Sequence, residues 1–222
     1  MDDDAVLLDI DMPEALTAGT HTNDALLHTE LPICPDRSDC APRVGLLEAM
    51  EERAAANREP DNPVLQFSAV GRVPTLVHGD LVITEARSVF AYIKEFAGVG
   101  NVEHPDRVDW RIVAEEGQII GFLEGIASWV RENRRAMEAR SGFLLNVERD
   151  RMLRCLNYLD TLATTRPLPA VSEFRGAALA SALSLMDAHR FCPDWKTKNK
   201  VLAGWFEHQL DRRSMRETAP DA

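Results

Sequence analysis

The sequence predicts an α/β domain followed by an all-α domain, and three observations predict it. A strand–turn–strand–helix pattern occupies residues 71–96. Gly98, Gly100, Asn101 and Pro105 then interrupt two helical patterns. Beyond residue 106 apolar residues recur only at helical spacing, with no alternating or β-branched run.

Residues 1–24 form an acidic, Thr-rich extension in which Ala5–Ile10 is a candidate strand. Ala25–Leu31 is a second candidate strand, and Pro32–Asp39 reads as a loop. A helix is expected from about Ala41 to Asn57. Val44, Leu47 and Met50 lie at helical spacing, and Pro42 is tolerated in the first turn. Pro60 and Asp61 break that pattern. Val73–Val77, apolar and β-branched, reads as a strand, Gly79-Asp80 as a turn and Leu81–Ile83 as the return strand. Thr84 is placed to cap a helix over Glu85–Phe96. Pro74 removes a donor at the strand entrance and suits an edge, a bulge or a cis bond.

The second half reads as helices throughout. Val108–Met137 carries an apolar stripe of Trp110, Val113, Ile120, Phe122, Leu123, Ile126 and Trp129. Arg131, Arg134 and Arg135 suit the negative end of its dipole. A second helix covers Leu145–Leu162 and stops at Arg166–Pro169. Ser172 is placed to cap a third, running to Ala188. Cys192–Trp195 reads as a turn, Lys198–Arg212 as the last helix and Arg213–Ala222 as a loose tail. The expected organisation is an extension (1–24), an α/β domain (25–97), a linker (98–106) and a helical domain (107–222).

The formal net charge of −11 argues against nucleic acid or an anionic membrane surface as a partner. No uninterrupted apolar run is long enough to span a bilayer, and Met1–Asp4 lacks the basic start of a secretory signal. The four cysteines, Cys34, Cys40, Cys155 and Cys192, do not resemble a disulfide framework in a chain of 222 residues. A reduced, cytoplasmic setting is the simplest expectation. Cys34 and Cys40 are spaced unlike zinc ligands and no histidine pair lies beside them, so no metal site is expected.

Gly71-Arg-Val-Pro-Thr-Leu76, Thr84-Glu-Ala-Arg-Ser88 and Val89-Phe-Ala-Tyr-Ile93 together resemble the glutathione-binding half of the glutathione transferases. Leu202-Ala-Gly-Trp205, Arg212-Arg-Ser214 and Thr218-Ala-Pro220 resemble that family's C-terminal ending. Leu185-Met-Asp187 and Pro193-Asp-Trp195 are similar to a segment of its bacterial members. The resemblance covers roughly residues 25–220. It implies a thioredoxin-like N-terminal domain, an all-α helical bundle and a homodimer. It also implies a cofactor, glutathione or another low-molecular-weight thiol, acting on a small hydrophobic electrophile.

The resemblance also implies roles for particular residues. Val73, just before Pro74, would pair its backbone with the cysteinyl part of the tripeptide, and Arg72 is grouped with it as cofactor-binding. Glu85 would meet the γ-glutamyl amine. Ala86 stands where the family has serine, which removes a hydroxyl from the γ-glutamyl carboxylate, a loss of about 1–3 kcal/mol. Arg37–Val44 resembles the run of zeta-class enzymes in which Ser38 would activate the thiol beside Cys40, although Asp39 places a carboxylate nearby. Cys34, acting through a mixed disulfide, is the competing candidate.

A departure from the family lies between the first helix and Phe67, where no second strand is signalled. Either Ala5–Ile10 fills that place, or it is the first strand and Ala25–Ile33 the second. Three functions stay open at this point. One is a glutathione transferase, another a thiol-dependent cis–trans isomerase suggested by the zeta-like run. The third is a non-catalytic scaffold with a degenerate thiol site.

Overall fold

The computed structural model describes residues 62–96, 109–212 and 215–216. The expected strands at Ala5–Ile10 and Ala25–Leu31, the helix over 41–57 and the linker at 98–106 lie outside the described residues. The described residues divide into two compact units, 62–96 and the part from 109 onward.

The first unit opens on Asn62, whose Oδ1 accepts the Val64 N–H at 3.0 Å and caps a single 3-10 turn, Pro63–Gln66. Pro63 fits there because a first-turn N–H has no partner to lose. Two strands follow, β1 (Thr75–His78) and β2 (Leu81–Thr84), paired antiparallel with Thr75 opposite Thr84 and His78 opposite Leu81. The turn at 79–80 is made by Gly79, at φ +58°, a conformation that needs no Cβ. The first strand therefore starts two residues later than the β-branched run suggests. Val73–Pro74, a cis peptide, lies ahead of the ladder.

Helix α1 (Ala86–Phe96) buries Val89, Phe90 and Ile93 and packs against both strands; Leu76 and Val77, adjacent in β1 and so on opposite faces of the hairpin, are both buried. Thr84 does not cap it, because Thr84 still belongs to the ladder. Glu85 takes that position instead. Its carbonyl accepts the Val89 N–H at 3.0 Å and its Oε2 accepts the Arg87 N–H at 3.2 Å.

The second unit is helical: α2 (Trp110–Asn133), α3 (Gly142–Thr165), α4 (Phe174–Ala188), α5 (Trp195–Lys198) and α6 (Lys200–Leu210). Asp109 and Ser141 cap α2 and α3 by accepting the Arg111 and Leu144 N–H groups. The expected single helix to Met137 ends at Asn133, and Met137–Ala139 is a separate 3-10 turn. Helix α4 is buried without a break from Gly176 to Leu183, the pattern of a central helix rather than a surface one. Helices α2 and α3 pack on one another, and α4 packs on α2. Ile119, Phe122, Ile126, Met152, Leu156 and Leu179 are each essentially inaccessible.

Several expectations change here. Trp110 is 73% exposed and Val113 is also exposed, so the apolar stripe of α2 is buried only from Ile119 onward. Trp110 and Val113 lie in the first turn of α2, ahead of that covered stretch. Phe122 is core, and Trp129 stacks edge-on against Phe191 with ring centroids 4.7 Å apart. Ser172 does not cap α4. Glu173 occupies that position, and its side chain makes no capping bond. The start of α4 is held instead by Arg175, whose guanidinium bonds Glu173 and the buried Glu115, which Arg166 also reaches. Gly176 lets the backbone of the preceding loop come close to α4, since a Cβ there would stand 2.0 Å from the Ala170 carbonyl oxygen.

The turn before α5 is closed by the Trp195 indole N–H, which donates to Asp187 Oδ1 at 2.7 Å. Met215, expected in a loose tail, is 5% exposed and belongs to the helical core. No helix among the described residues is long and apolar enough to cross a membrane.

Candidate functional site

The register of the hairpin assembles the site. The ladder ends at the pair Thr75 and Thr84, so Pro74 leads into β1, and Glu85 leaves β2, at the same end of the hairpin. The strand entrance and the start of α1 therefore meet at one end of the hairpin. Pro74 is buried, Val73 half-buried and Arg72 exposed. The N–H and C=O of Val73 take part in no hydrogen bond among the described residues.

Glu85 sits at φ +81°. An L-residue in this region is typically about 1–2 kcal/mol above its preferred conformations. The chain holds a glutamate there where glycine would be unstrained. One carboxylate oxygen is used as a cap, and the group remains exposed at the positive end of α1. Ala86 follows it, half-buried and without a hydroxyl.

The segment ahead of Val73 is braced on consecutive carbonyls. Asn62 Nδ2 donates to the Gly71 carbonyl at 2.8 Å, and Thr75 Oγ1 donates to the Arg72 carbonyl at 2.6 Å. Gly71 sits at φ +59°, a conformation that strains any L side chain, and a Cβ there would also require Leu65 Cδ2, 2.6 Å away, to shift. Ser68 adds a further turn, its Oγ accepting the Val70 N–H and its carbonyl the Gly71 N–H. Asn62 and Thr75 were not anticipated as parts of the site. Asn62-Pro63 carries a legible capping signal, whereas nothing local marks Thr75.

On the far end of β1, His78 Nδ1 makes a short hydrogen bond with the Tyr92 hydroxyl, their rings edge to face. Burial, and secondarily the carboxylate of Glu95, push the Tyr92 phenol above its ordinary pKa, so it stays protonated.

The structure thus brings Arg72, Val73, Pro74 and Glu85 to one end of the hairpin. Ser38, Cys34 and Cys40 lie outside the described residues. The other two cysteines belong to the helical unit. No group of three metal-ligating side chains occurs among the described residues.

Neither a family model nor a curated protein matches the sequence. Solved structures do match its fold. A glutathione S-transferase from Methylobacillus flagellatus KT, solved with glutathione bound, superposes with a TM-score of 0.63 at 21% identity, over 75% of this chain and 85% of that one. A glutathione transferase family member from Pseudomonas fluorescens Pf-5, solved with S-(propanoic acid)-glutathione, gives 0.60 at 24% identity over 69% and 78%. Gtt2 from Saccharomyces cerevisiae gives 0.59 at 16% identity over 73% and 81%. The two-stranded hairpin with its following helix and the all-α unit superpose on these structures, and this chain has the glutathione transferase fold.

Proposed function

We propose that the protein is a glutathione transferase-like enzyme that holds a thiol tripeptide at Val73 and presents its sulfur to a small hydrophobic electrophile. The observation that carries this reading is the Val73 peptide. Its N–H and C=O are uncommitted among the described residues, beside a buried cis-proline and at the same end of the hairpin as Glu85. An extended cysteinyl residue would pair with both groups, as a strand pairs with a sheet edge. Its γ-glutamyl ammonium would then reach Glu85, and the adjacent carboxylate the start of α1. Arg72 offers a cation to a tripeptide carboxylate.

Two solved neighbours hold glutathione or a conjugate of it, which supports the choice of cofactor. Ser38 is the proposed donor to sulfur, with Cys34 and Cys40 as the competing thiols. At a free-thiol pKa of about 8.5, only a few per cent of the cofactor is thiolate at neutral pH, so such a donor accelerates attack by favouring the anion. The zeta-like run at Arg37–Val44 supports isomerisation as the reaction: the thiolate adds to a conjugated double bond, rotation follows, and the thiol leaves. The same reading carries a homodimer, as the sequence resemblance implies, and a cytoplasmic setting, as the cysteine usage suggests.

Calorimetry of the full chain with glutathione, and with other low-molecular-weight thiols, tests this. Micromolar-to-millimolar binding supports the enzyme. Silence toward every thiol from a folded protein contradicts it and supports the non-catalytic scaffold.

A further inference from the structure

Thr75 bonds the very peptide that would recognise the thiol. The Arg72–Val73 peptide has two polar ends. Its carbonyl oxygen, on Arg72, accepts the Thr75 hydroxyl at 2.6 Å. Its N–H, on Val73, is the donor assigned above to the cysteinyl carbonyl. The two ends share one rigid plane, so holding the oxygen fixes the direction of the N–H. A carbonyl that accepts a hydrogen bond also makes the N–H of its own peptide a stronger donor. Thr75 is fully buried and locked in the ladder opposite Thr84, so its hydroxyl is aimed by the sheet rather than by solvent. One peptide earlier, Asn62 Nδ2 holds the Gly71 carbonyl at 2.8 Å and is itself buried.

We infer that Thr75, backed by Asn62, is the positioning residue of the thiol site: its hydroxyl orients and polarises the Arg72–Val73 peptide so that Val73 N–H is presented to a cysteinyl carbonyl. This rests on the proposed thiol-binding function and adds to it the residues that set affinity without touching the ligand. Thr75→Val is nearly the same shape, suits a strand and lacks only the hydroxyl. Thr75→Ser restores the donor.

The experiment pairs two readouts on the full chain. The first is the Val73 amide shift in the 15N-resolved spectrum of the ligand-free protein. The second is the glutathione Kd by calorimetry. Thr75→Val is expected to move the Val73 amide and raise the Kd about five- to tenfold, and Thr75→Ser to return both toward the unsubstituted protein. Asn62→Asp keeps the acceptor that caps the 3-10 turn but loses the donor to Gly71, and it is expected to shift the same amide and weaken binding. A Val73 amide indifferent to Thr75→Val overturns the inference, whether or not glutathione binds. An unchanged Kd in Thr75→Val, or a Thr75→Ser protein as weak as Thr75→Val, overturns it while leaving the thiol site standing. Absence of binding by the unsubstituted protein removes the thiol site itself, and the amide readout still decides the brace.

Discussion

Asp160 Oδ1 accepts the backbone N–H of Leu202 at 2.9 Å, so a carboxylate from α3 caps the start of α6. The residue in the capping position of α6, Asn199, makes no capping bond, and its side chain donates to Asn157 of α3 instead. Two bonds from one helix thus fix the entry of another. Asp160→Ala removes the acceptor and the negative charge near a positive helix end together, which costs about 1–2 kcal/mol. Asp160→Asn keeps an acceptor and loses less. Urea denaturation of the two variants checks this order, which reverses if the contact is incidental.

Glu85 carries two separable features, a strained backbone and a carboxylate. Glycine at φ +81° relieves about 1–2 kcal/mol of strain, while loss of the cap to Arg87 costs about 1 kcal/mol. Glu85→Gly is therefore expected to keep its stability within about 1 kcal/mol. Its glutathione affinity is expected to fall tenfold or more, as for a lost charge-assisted bond. Thermal melting and calorimetry on the same sample separate the two. Unchanged affinity removes the carboxylate from the γ-glutamyl role.

The cysteines of the helical unit are expected to be slow nucleophiles. Burial pushes the Cys155 thiol above its ordinary pKa, against the pull of Arg154 and Arg151. Burial, then the Asp194 carboxylate, push Cys192 the same way, against Lys198 and Arg149. A raised native pKa means the folded protein keeps these protons where the unfolded chain has begun to lose them. The stability they carry is present at neutral pH and is lost as pH rises past the ordinary thiol value. Iodoacetamide labelling followed by peptide mass analysis at pH 7 is expected to leave Cys155 and Cys192 largely unmodified, with modification climbing at alkaline pH. Fast labelling of either at pH 7 contradicts this.

The parts of the fold legible in the sequence are those marked by local rules. Gly79-Asp80 between two short apolar runs marks the hairpin, Pro74 marks its entrance, and the apolar spacing of Val89, Phe90 and Ile93 marks α1. Element ends were less legible, because tertiary contacts set them. Glu85 replaces Thr84 as the cap since the ladder keeps Thr84, and Glu173 replaces Ser172 since Arg175 ties the start of α4 to Glu115. Trp110 reads as core by hydropathy alone, yet it lies ahead of the covered part of α2. The braces at Asn62, Thr75 and Asp160 leave no periodic trace. Each is a polar side chain bonding a backbone group, and only the folded register brings the two together.

The central claim is that Val73 pairs its main chain with the cysteinyl part of a thiol tripeptide, and a crystal of the full chain soaked with glutathione measures it most directly. The account predicts an extended tripeptide with its cysteinyl N–H and C=O within hydrogen-bond distance of Val73 and its amino end at Glu85. Glutathione bound elsewhere, or a Val73 N–H and C=O bonded to the protein's own groups under saturating thiol, would contradict it.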